Sequence, residues 1–216
     1  MRTLLPGSFA IAVLVALLGC YPGGPESAGE LDLVATFHDS THDFVSNHTY
    51  AMPDTVVDLS VVGGGTSSLQ HTYDSQILTL IANNMQAYGY TRVTGTVASG
   101  TKPDVVVLVG GITVDNYSVW YPYYPWWGYW GWWGGWGWWG YGPGYAPIYP
   151  PVPAVTSYTT GTLVISMVDP AAVASMNQIP VPWTAAVNGI ITGASVSSRL
   201  TSAINQAFIQ SPYLKH

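Results

Sequence analysis

The chain has 216 residues, enough for one domain with a real core, and 7% of them are charged, against about 25% in typical domains. Both glutamates precede residue 31, which excludes a glutamate acid or base from the folded part. The basic residues after Cys20 are Arg92, Lys102, Arg199 and Lys215. Because four scattered cations cannot follow a phosphate backbone, nucleic acid is excluded as a partner.

The first nineteen residues have the layout of a secretion signal. Arg2 supplies an early positive charge, and an uninterrupted apolar run covers residues 9–18. A membrane-spanning helix needs about 20 apolar residues. We therefore predict that residues 1–19 form a cleaved signal peptide and not a lasting transmembrane anchor.

The apolar run ends in Leu17-Leu18-Gly19-Cys20, which resembles the lipobox of bacterial lipoproteins. Cys20 is the only cysteine, so it has no disulfide partner within the chain, and acylation would remove a lone thiol from an oxidising compartment. Each buried lipid methylene contributes about 0.8 kcal/mol, so several acyl chains anchor a protein firmly. The alternative is an ordinary cleaved signal followed by an incidental cysteine.

We predict that Cys20 is lipidated, that residues 20–30 form a flexible tether, and that residues 31–216 form one domain on a membrane. Residue 21 is tyrosine, not the aspartate that signals inner-membrane retention in many bacteria. We therefore expect the outer membrane, with the domain facing the periplasm.

The first predicted elements of the domain are a strand over 31–37, a polar loop over 38–48 and a short extended piece over 49–52. Apolar residues then recur at three- and four-residue spacing, which predicts an amphipathic helix over about 67–88, ended by Gly89. The residues of this stripe are Leu69, Tyr73, Ile77, Leu80, Ile81, Met85 and Tyr88.

Later strands are predicted over 90–97, 104–109, 156–169 and 181–191. Residues 104–109 are nearly all apolar, which predicts burial on both faces, and Gly110-Gly111 is interpreted as a bulge before a continuation over 112–117. A closing helix runs from Val196 to Phe208. This order favours an α+β two-layer sandwich, with a mostly antiparallel sheet and two helices on one face.

Several short signatures carry a family resemblance. They are Asp43-Phe44 followed by Thr49-Tyr50-Ala51, the strand opening at Asp104, Gly161-Thr162-Leu163, and Ser211-Pro212. Together they are similar to the lipoprotein family called domain of unknown function 4136, over nearly the whole mature chain. The resemblance implies an envelope lipoprotein and implies no activity. Thr184 stands where the family usually has arginine.

The densest set of candidate ligands comprises His38, Asp39, His42 and Asp43. On a helix, His38 and His42 would share a face and could hold a metal ion. The two aspartates could equally cap turns through their side chains. The enzyme interpretation of this set is a hydrolase or a metal-dependent enzyme, although there is no G-x-S-x-G sequence.

A Trp/Gly/Tyr-rich insertion over 118–153 is the distinctive feature. Nine of the ten tryptophans lie within residues 120–139, a stretch without charge. Three interpretations stay open: the insertion folds back over the sheet, presents a binding surface for an envelope glycan or protein, or sits in the membrane interface. The candidate rings are Trp126, Trp127, Trp130, Trp132, Trp133, Trp136, Trp138 and Trp139.

The sequence therefore predicts a lipid-anchored envelope lipoprotein that binds or scaffolds another component through this aromatic flap. We expect no cofactor and no catalytic residue. The alternative is an enzyme built on the cluster at residues 38–43.

Overall fold

The computed structural model describes residues 34–59, 67–94, 102–113, 146–148, 161–172, 178–191 and 195–216. Within these ranges the chain forms two long helices, α1 (Asp74–Ala87) and α2 (Val196–Ile209). The strands are β1 (Val34–His38), β2 (Thr49–Ala51), β3 (Val57–Asp58), β4 (Thr91–Arg92), β5 (Val105–Ile112), β6 (Ala146–Ile148), β7 (Thr162–Val168), β8 (Gln178–Pro180) and β9 (Trp183–Val187).

Seven of these strands form one open sheet in the order β1-β9-β7-β5-β2-β4, with β3 also paired to β5. The long pairings, which join β1, β9, β7 and β5, are all antiparallel. The parallel pairings, of β2 with β4 and β5 and of β3 with β5, are two residues long each. The predicted α+β class with a mostly antiparallel sheet is confirmed. Strands β6 and β8 pair separately.

One face of the sheet packs against both helices, as predicted. Alternate residues of β5, β7 and β9 join the helices in one buried cluster, for example Val107, Ile165 and Ala185. Ile81 of α1 and Ile204 of α2 are fully buried against them. Each such side chain contributes roughly 1.5–3 kcal/mol when it leaves water, so this face holds the domain together.

The two helices lie side by side and point in the same direction. The Gln76 amide donates to the Ser197 carbonyl at 2.8 Å near their starts. The Tyr88 hydroxyl donates to the Phe208 carbonyl at 2.7 Å near their ends. Both helices therefore begin at one end of the sheet and finish at the other.

The strand register defines these two ends. Val34, Val187, Leu163 and Gly111 form one row across the sheet, which we call the tether end because residue 34 follows the predicted tether. His38 pairs with Trp183 at the opposite end, which we call the histidine end. Four residue steps along β5, from Gly111 to Val107, separate the two rows, a distance of about 13 Å.

The second face of the sheet, opposite the helices, is also buried. On it, Val106 and Leu108 are each 3% exposed, Val164 is 5% exposed and Val168 is 1% exposed. The prediction that the strand beginning near residue 104 is covered on both faces is confirmed.

The predicted bulge at Gly110-Gly111 is wrong, because β5 continues through both glycines without a break in register. They are needed for close packing instead. A Cβ at Gly110 would lie 2.6 Å from Leu59 Cγ, and one at Gly111 would lie 2.8 Å from Leu69 Cδ1. The glycines therefore let flanking leucines press against the backbone of the central strand.

The predicted start of the first helix, near residue 67, is also wrong. A 3₁₀ turn occupies His71–Tyr73, and α1 begins at Asp74. The Asp74 carboxylate accepts hydrogen bonds from the Val56 N–H at 2.9 Å and the Thr55 hydroxyl at 2.8 Å. This contact with a distant loop fixes where the helix starts.

Other boundaries differ in smaller ways. His38 belongs to β1 and not to the loop, and the predicted strand over 90–97 is reduced to Thr91–Arg92, with residues 95–97 outside the described part. The predicted strand over 181–191 is Trp183–Val187. Parts of two further predicted strands, residues 114–117 and 156–160, lie outside the described part of the chain. The closing helix is confirmed.

Trp183 ties the sheet to the end of α2. Its side chain is fully buried, and its ring N–H donates to the Ser211 hydroxyl at 2.8 Å. The Ser211 hydroxyl in turn donates to the Ala207 carbonyl at 2.9 Å. Ser211 thus satisfies both a buried indole and a carbonyl in the last turn of α2.

Replacing Ser211 by alanine removes both bonds, together with the one that the Tyr213 hydroxyl donates at 3.2 Å, and leaves the indole N–H of Trp183 buried without its acceptor. We expect Ser211→Ala to lower the free energy of unfolding by about 1–3 kcal/mol, measured by urea denaturation. Ser202→Ala, at an exposed position of α2, is the matched control and should change it by less than about 0.5 kcal/mol. Equal stability of both variants would contradict this role of Ser211.

Candidate functional site

His42 lies at the histidine end, in the loop after β1, and its ring is close to the turn after β7. Its Nε2 is 2.8 Å from the Asn47 side-chain nitrogen, and its Nδ1 is 3.8 Å from the Asp169 carboxylate. Because an amide nitrogen only donates, Nε2 accepts, and the neutral ring carries its proton on Nδ1, facing Asp169.

The surroundings favour the neutral form of His42. Burial lowers the pKa of its imidazole, and the nearby carboxylates of Asp169, Asp39 and Asp43 offset only part of this effect. The Phe44 ring contributes to the burial, with its edge against the imidazole and 4.6 Å between ring centres.

Asp39 and Asp43 act as caps of local turns. The Asp39 carboxylate accepts from the Thr41 hydroxyl at 2.7 Å and the Thr41 N–H at 2.8 Å, and these bonds hold its pKa below the ordinary value. The Asp43 carboxylate accepts from the Val45 N–H at 3.1 Å and caps the 3₁₀ turn Phe44–Ser46. Of the two interpretations that the sequence left open, turn capping matches these contacts.

His38 does not share a helical face with His42, since β1 ends at His38 and a turn follows. Its ring stacks on Tyr213, with 3.8 Å between centres and 22° between planes. Across the described ranges, no three side chains of histidine, cysteine, aspartate or glutamate are grouped so that they could hold a metal ion.

A second polar contact at this end joins two of the signature segments. The Asp104 carboxylate accepts from the Thr49 hydroxyl and N–H, each at 2.8 Å, and from the His48 N–H at 2.9 Å. Burial by itself would raise the pKa of Asp104, but these hydrogen bonds outweigh it and hold the pKa below its usual value. The pair thus holds the start of β2 against the start of β5.

Sequence reasoning missed Asn47, Asp169 and Tyr213 as members of this cluster. Asp169 follows β7 and is 7% exposed, and its carboxylate also accepts from the Ala171 and Ala172 N–H groups at 2.9 and 3.1 Å. Residues 42 and 169 are far apart in sequence, so no local pattern could reveal the contact. We call the contacts of His42 with Asn47 and Asp169 the clamp, because they hold the loop after β1 beside the turn after β7.

The other predicted site residues lie outside the described part of the chain. These are Cys20, the tether and signal segments, and the eight aromatic candidates, Trp126, Trp127, Trp130, Trp132, Trp133, Trp136, Trp138 and Trp139. Of the insertion 118–153, the structure describes β6 alone. The nearest described residues on either side of it, Thr113 and Gly161, lie at the tether end, where the Gly161 N–H donates to the Ile112 carbonyl at 2.7 Å. In the regions described, no helix is long and apolar enough to cross a bilayer.

These elements define an α+β domain with an open sheet, two parallel helices on one face and a polar clamp at one end. The family model of DUF4136, a domain of unknown function, matches residues 34–213. The chain belongs to the DUF4136 family, as its signature residues indicate.

One solved structure agrees with this assignment. A crystal structure of a DUF4136 family protein from Bacteroides thetaiotaomicron is similar, with a TM-score of 0.62, 27% identity, and coverage of 85% of this chain and 97% of that one. The PelC dodecamer from Paraburkholderia phytofirmans gives a TM-score of 0.38 at 12% identity, covering 85% and 99%, too distant to support an argument. No curated protein matches the chain.

The clamp at His42 should make folding sensitive to acid. The pKa of His42 in the folded state is below its ordinary value of 6.5, so the folded state binds fewer protons than the unfolded chain as the pH falls through 6.5. We expect the free energy of unfolding to decrease from pH 7 to pH 5, and to decrease less in His42→Gln, measured by urea denaturation. An NMR titration midpoint for His42 above 6.5 would contradict this.

Proposed function

We propose that this protein is a lipid-anchored lipoprotein of the bacterial envelope, held in the outer membrane and facing the periplasm. In this proposal its sheet carries the aromatic insertion across the second face. The outer rings of the insertion bind or scaffold another envelope component, a glycan or a protein, without catalysis. The position of β6 is the observation that carries the proposal.

Thr113 and Gly161, the nearest described residues before and after the insertion, both lie at the tether end of the sheet. Strand β6, inside the insertion, pairs with β8. The Pro180 carbonyl at the end of β8 accepts from the Asp169 N–H at 2.9 Å, at the histidine end. The described residues on either side of the insertion therefore lie at one end of the sheet, and β6 within it lies near the other end.

The helices occupy one face of the sheet, which leaves the second face for the insertion. The valine and leucine side chains of that face are buried and lie outside the hydrophobic cluster that contains the helices. Each aromatic ring can cover about 150–250 Å² of apolar surface. This supports the interpretation in which the insertion folds back, and rings on its outer side would remain free to bind.

The polar contacts at the histidine end support a non-catalytic role. Asp39 and Asp43 hold turns, and His42 is tied to Asn47 and faces Asp169. The metal-binding form of the alternative needed His38 and His42 on one helical face, whereas β1 ends at His38 and its ring stacks on Tyr213.

The lipid anchor is tested by metabolic labelling of the producing bacterium with radioactive palmitate. We expect label in the wild-type protein and none in Cys20→Ser, because the cysteine sulfur carries the lipid. Secreted protein that retains residues upstream of Cys20, or that carries no fatty acid, would overturn the envelope assignment.

Binding by the insertion is tested with tryptophan fluorescence and calorimetry on adding peptidoglycan fragments or a purified envelope protein. We expect a spectral shift, and at least a tenfold loss of affinity when Trp132, Trp133 and Trp136 are replaced by alanine, a change of about 1.4 kcal/mol. Circular dichroism would check that this variant remains folded. A shift with phospholipid vesicles alone would favour the membrane-interface interpretation, and no shift with any of them would leave the insertion as cover for the sheet.

A further inference from the structure

Strand β1 forms one edge of the sheet. Within the part of the chain that the structure describes, β9 is its only partner strand, and the two pair over the whole of β1. The Asp39 N–H donates to the Pro182 carbonyl at 2.8 Å and continues this ladder. In an antiparallel pair, every second residue points its N–H and C=O at the neighbouring strand. Ala35 and Phe37 therefore point theirs at β9, as Asp39 does.

The remaining residues of β1, which are Val34, Thr36 and His38, direct their N–H and C=O groups away from β9. Among the described residues, these backbone groups have no hydrogen-bond partner. An exposed edge of this kind accepts a further strand, because the added strand satisfies the outward donors and acceptors. The ligand that fits this edge is therefore an extended peptide segment of about the same length as β1.

The opposite edge of the sheet is protected against such pairing. Strand β4 is two residues long, and its Arg92 side chain donates to the Asp54 carboxylate and the Met52 carbonyl, each at 2.9 Å. Short edge strands and charged side chains are common means by which proteins prevent association through an edge. Strand β1 has five residues and contains no aspartate, glutamate, lysine, arginine or proline. Of the two edges, β1 is the one suited to pairing.

The sequence of β1 is complementary to itself in an antiparallel arrangement. When Thr36 lies opposite Thr36 of a second copy, Val34 faces His38 and Ala35 faces Phe37. Thr36 is an outward-directed residue, as a twofold axis at this position requires, and the arrangement makes about six backbone hydrogen bonds. Threonine pairs across strands are favourable, and the small Ala35 side chain leaves room for the Phe37 ring of the other copy.

The faces of the two sheets also match in this arrangement. Thr36 lies opposite Ala185 and Phe37 opposite Thr184, so Thr36 is on the helix-covered face and Phe37 on the second face. Residues opposite one another in a ladder lie on the same face, so the helices of both copies lie on one side. Helix α2 lies beside β1 and has one charged residue, Arg199. The two α2 helices therefore come together with mainly uncharged surfaces.

We propose that two copies of this chain associate through their β1 strands, paired antiparallel about Thr36, so that the two sheets become one. The partner is a second copy because β1 itself supplies the length, the register and the uncharged side chains that its own edge requires. The inference does not depend on the lipid anchor or on what the aromatic insertion binds.

Cysteine cross-linking of the purified full-length protein tests the register. In the proposed pair the two Thr36 Cα atoms lie about 5.5 Å apart, which suits a disulfide. The two His38 Cα atoms lie at least about 13 Å apart, which is too far. On mild oxidation we expect Thr36→Cys to form a covalent dimer, seen on a non-reducing gel, and His38→Cys to form at least fivefold less.

Wild-type protein, whose only cysteine is Cys20, is the blank for this experiment. Equal yields from Thr36→Cys and His38→Cys would overturn the antiparallel register, and the absence of a dimer from Thr36→Cys would overturn the association.

Sedimentation equilibrium of the full-length protein in a density-matched detergent tests the association without a cross-link. We expect a dimer that Thr36→Pro weakens at least tenfold, because proline removes the outward N–H at the centre of the pair and leaves the bonds to β9. Thr36→Val keeps that N–H and should leave the dimer intact, and circular dichroism checks that both variants fold. A monomeric wild type would overturn the proposal, and slow deuterium exchange of the Thr36 amide in that monomer would show that another segment of the chain covers the edge.

Discussion

The structure depends on the burial of its central strands on both faces. Strands β5 and β7 are buried at every position, and an uncovered face would return several valine and leucine side chains to water, at roughly 25 cal/mol for each Å² exposed. Two helices can cover one face of such a sheet. A second layer of cover is therefore a requirement of the fold, and a sequence with few charges and many aromatic residues is suited to supply it.

The polar residues of the family signatures hold the edges of this buried sheet in place. Thr49 and Asp104 bind one another where β2 and β5 begin, and Ser211 accepts from the indole of Trp183. Both contacts join segments that are distant in sequence. In this chain, signature residues hold distant segments of the fold together, a structural role that needs no reaction.

Much of the fold follows from sequence patterns that are local. Continuous apolar runs predicted β5 and β7, and three- and four-residue spacing predicted α2, because burial alone decides these elements. The start of α1 could not be predicted, since Asp74 is fixed by Thr55 and Val56 across the fold. Gly110 and Gly111 were misinterpreted as a bulge for a similar reason. Leu59 and Leu69, which leave no room for a Cβ at these positions, come from distant segments of the chain.

The candidate site was less predictable than the fold. The sequence found His42 and the two neighbouring aspartates, and it offered turn capping as one of their roles. It could not find Asp169 or Asn47 as partners of His42, because a contact between turns after different strands leaves no periodic trace.

The parallel arrangement of α1 and α2 has an electrostatic consequence. The peptide dipoles of two parallel helices add, so partial positive charge collects where both begin and partial negative charge where both end, about half an elementary charge for each helix. Lys215 and His216 follow α2 at the negative end, and the His216 N–H donates to the Tyr88 carbonyl at 3.0 Å where α1 finishes. The His216 N–H therefore satisfies a carbonyl at the end where the two parallel helices place partial negative charge, which antiparallel helices would have cancelled between themselves.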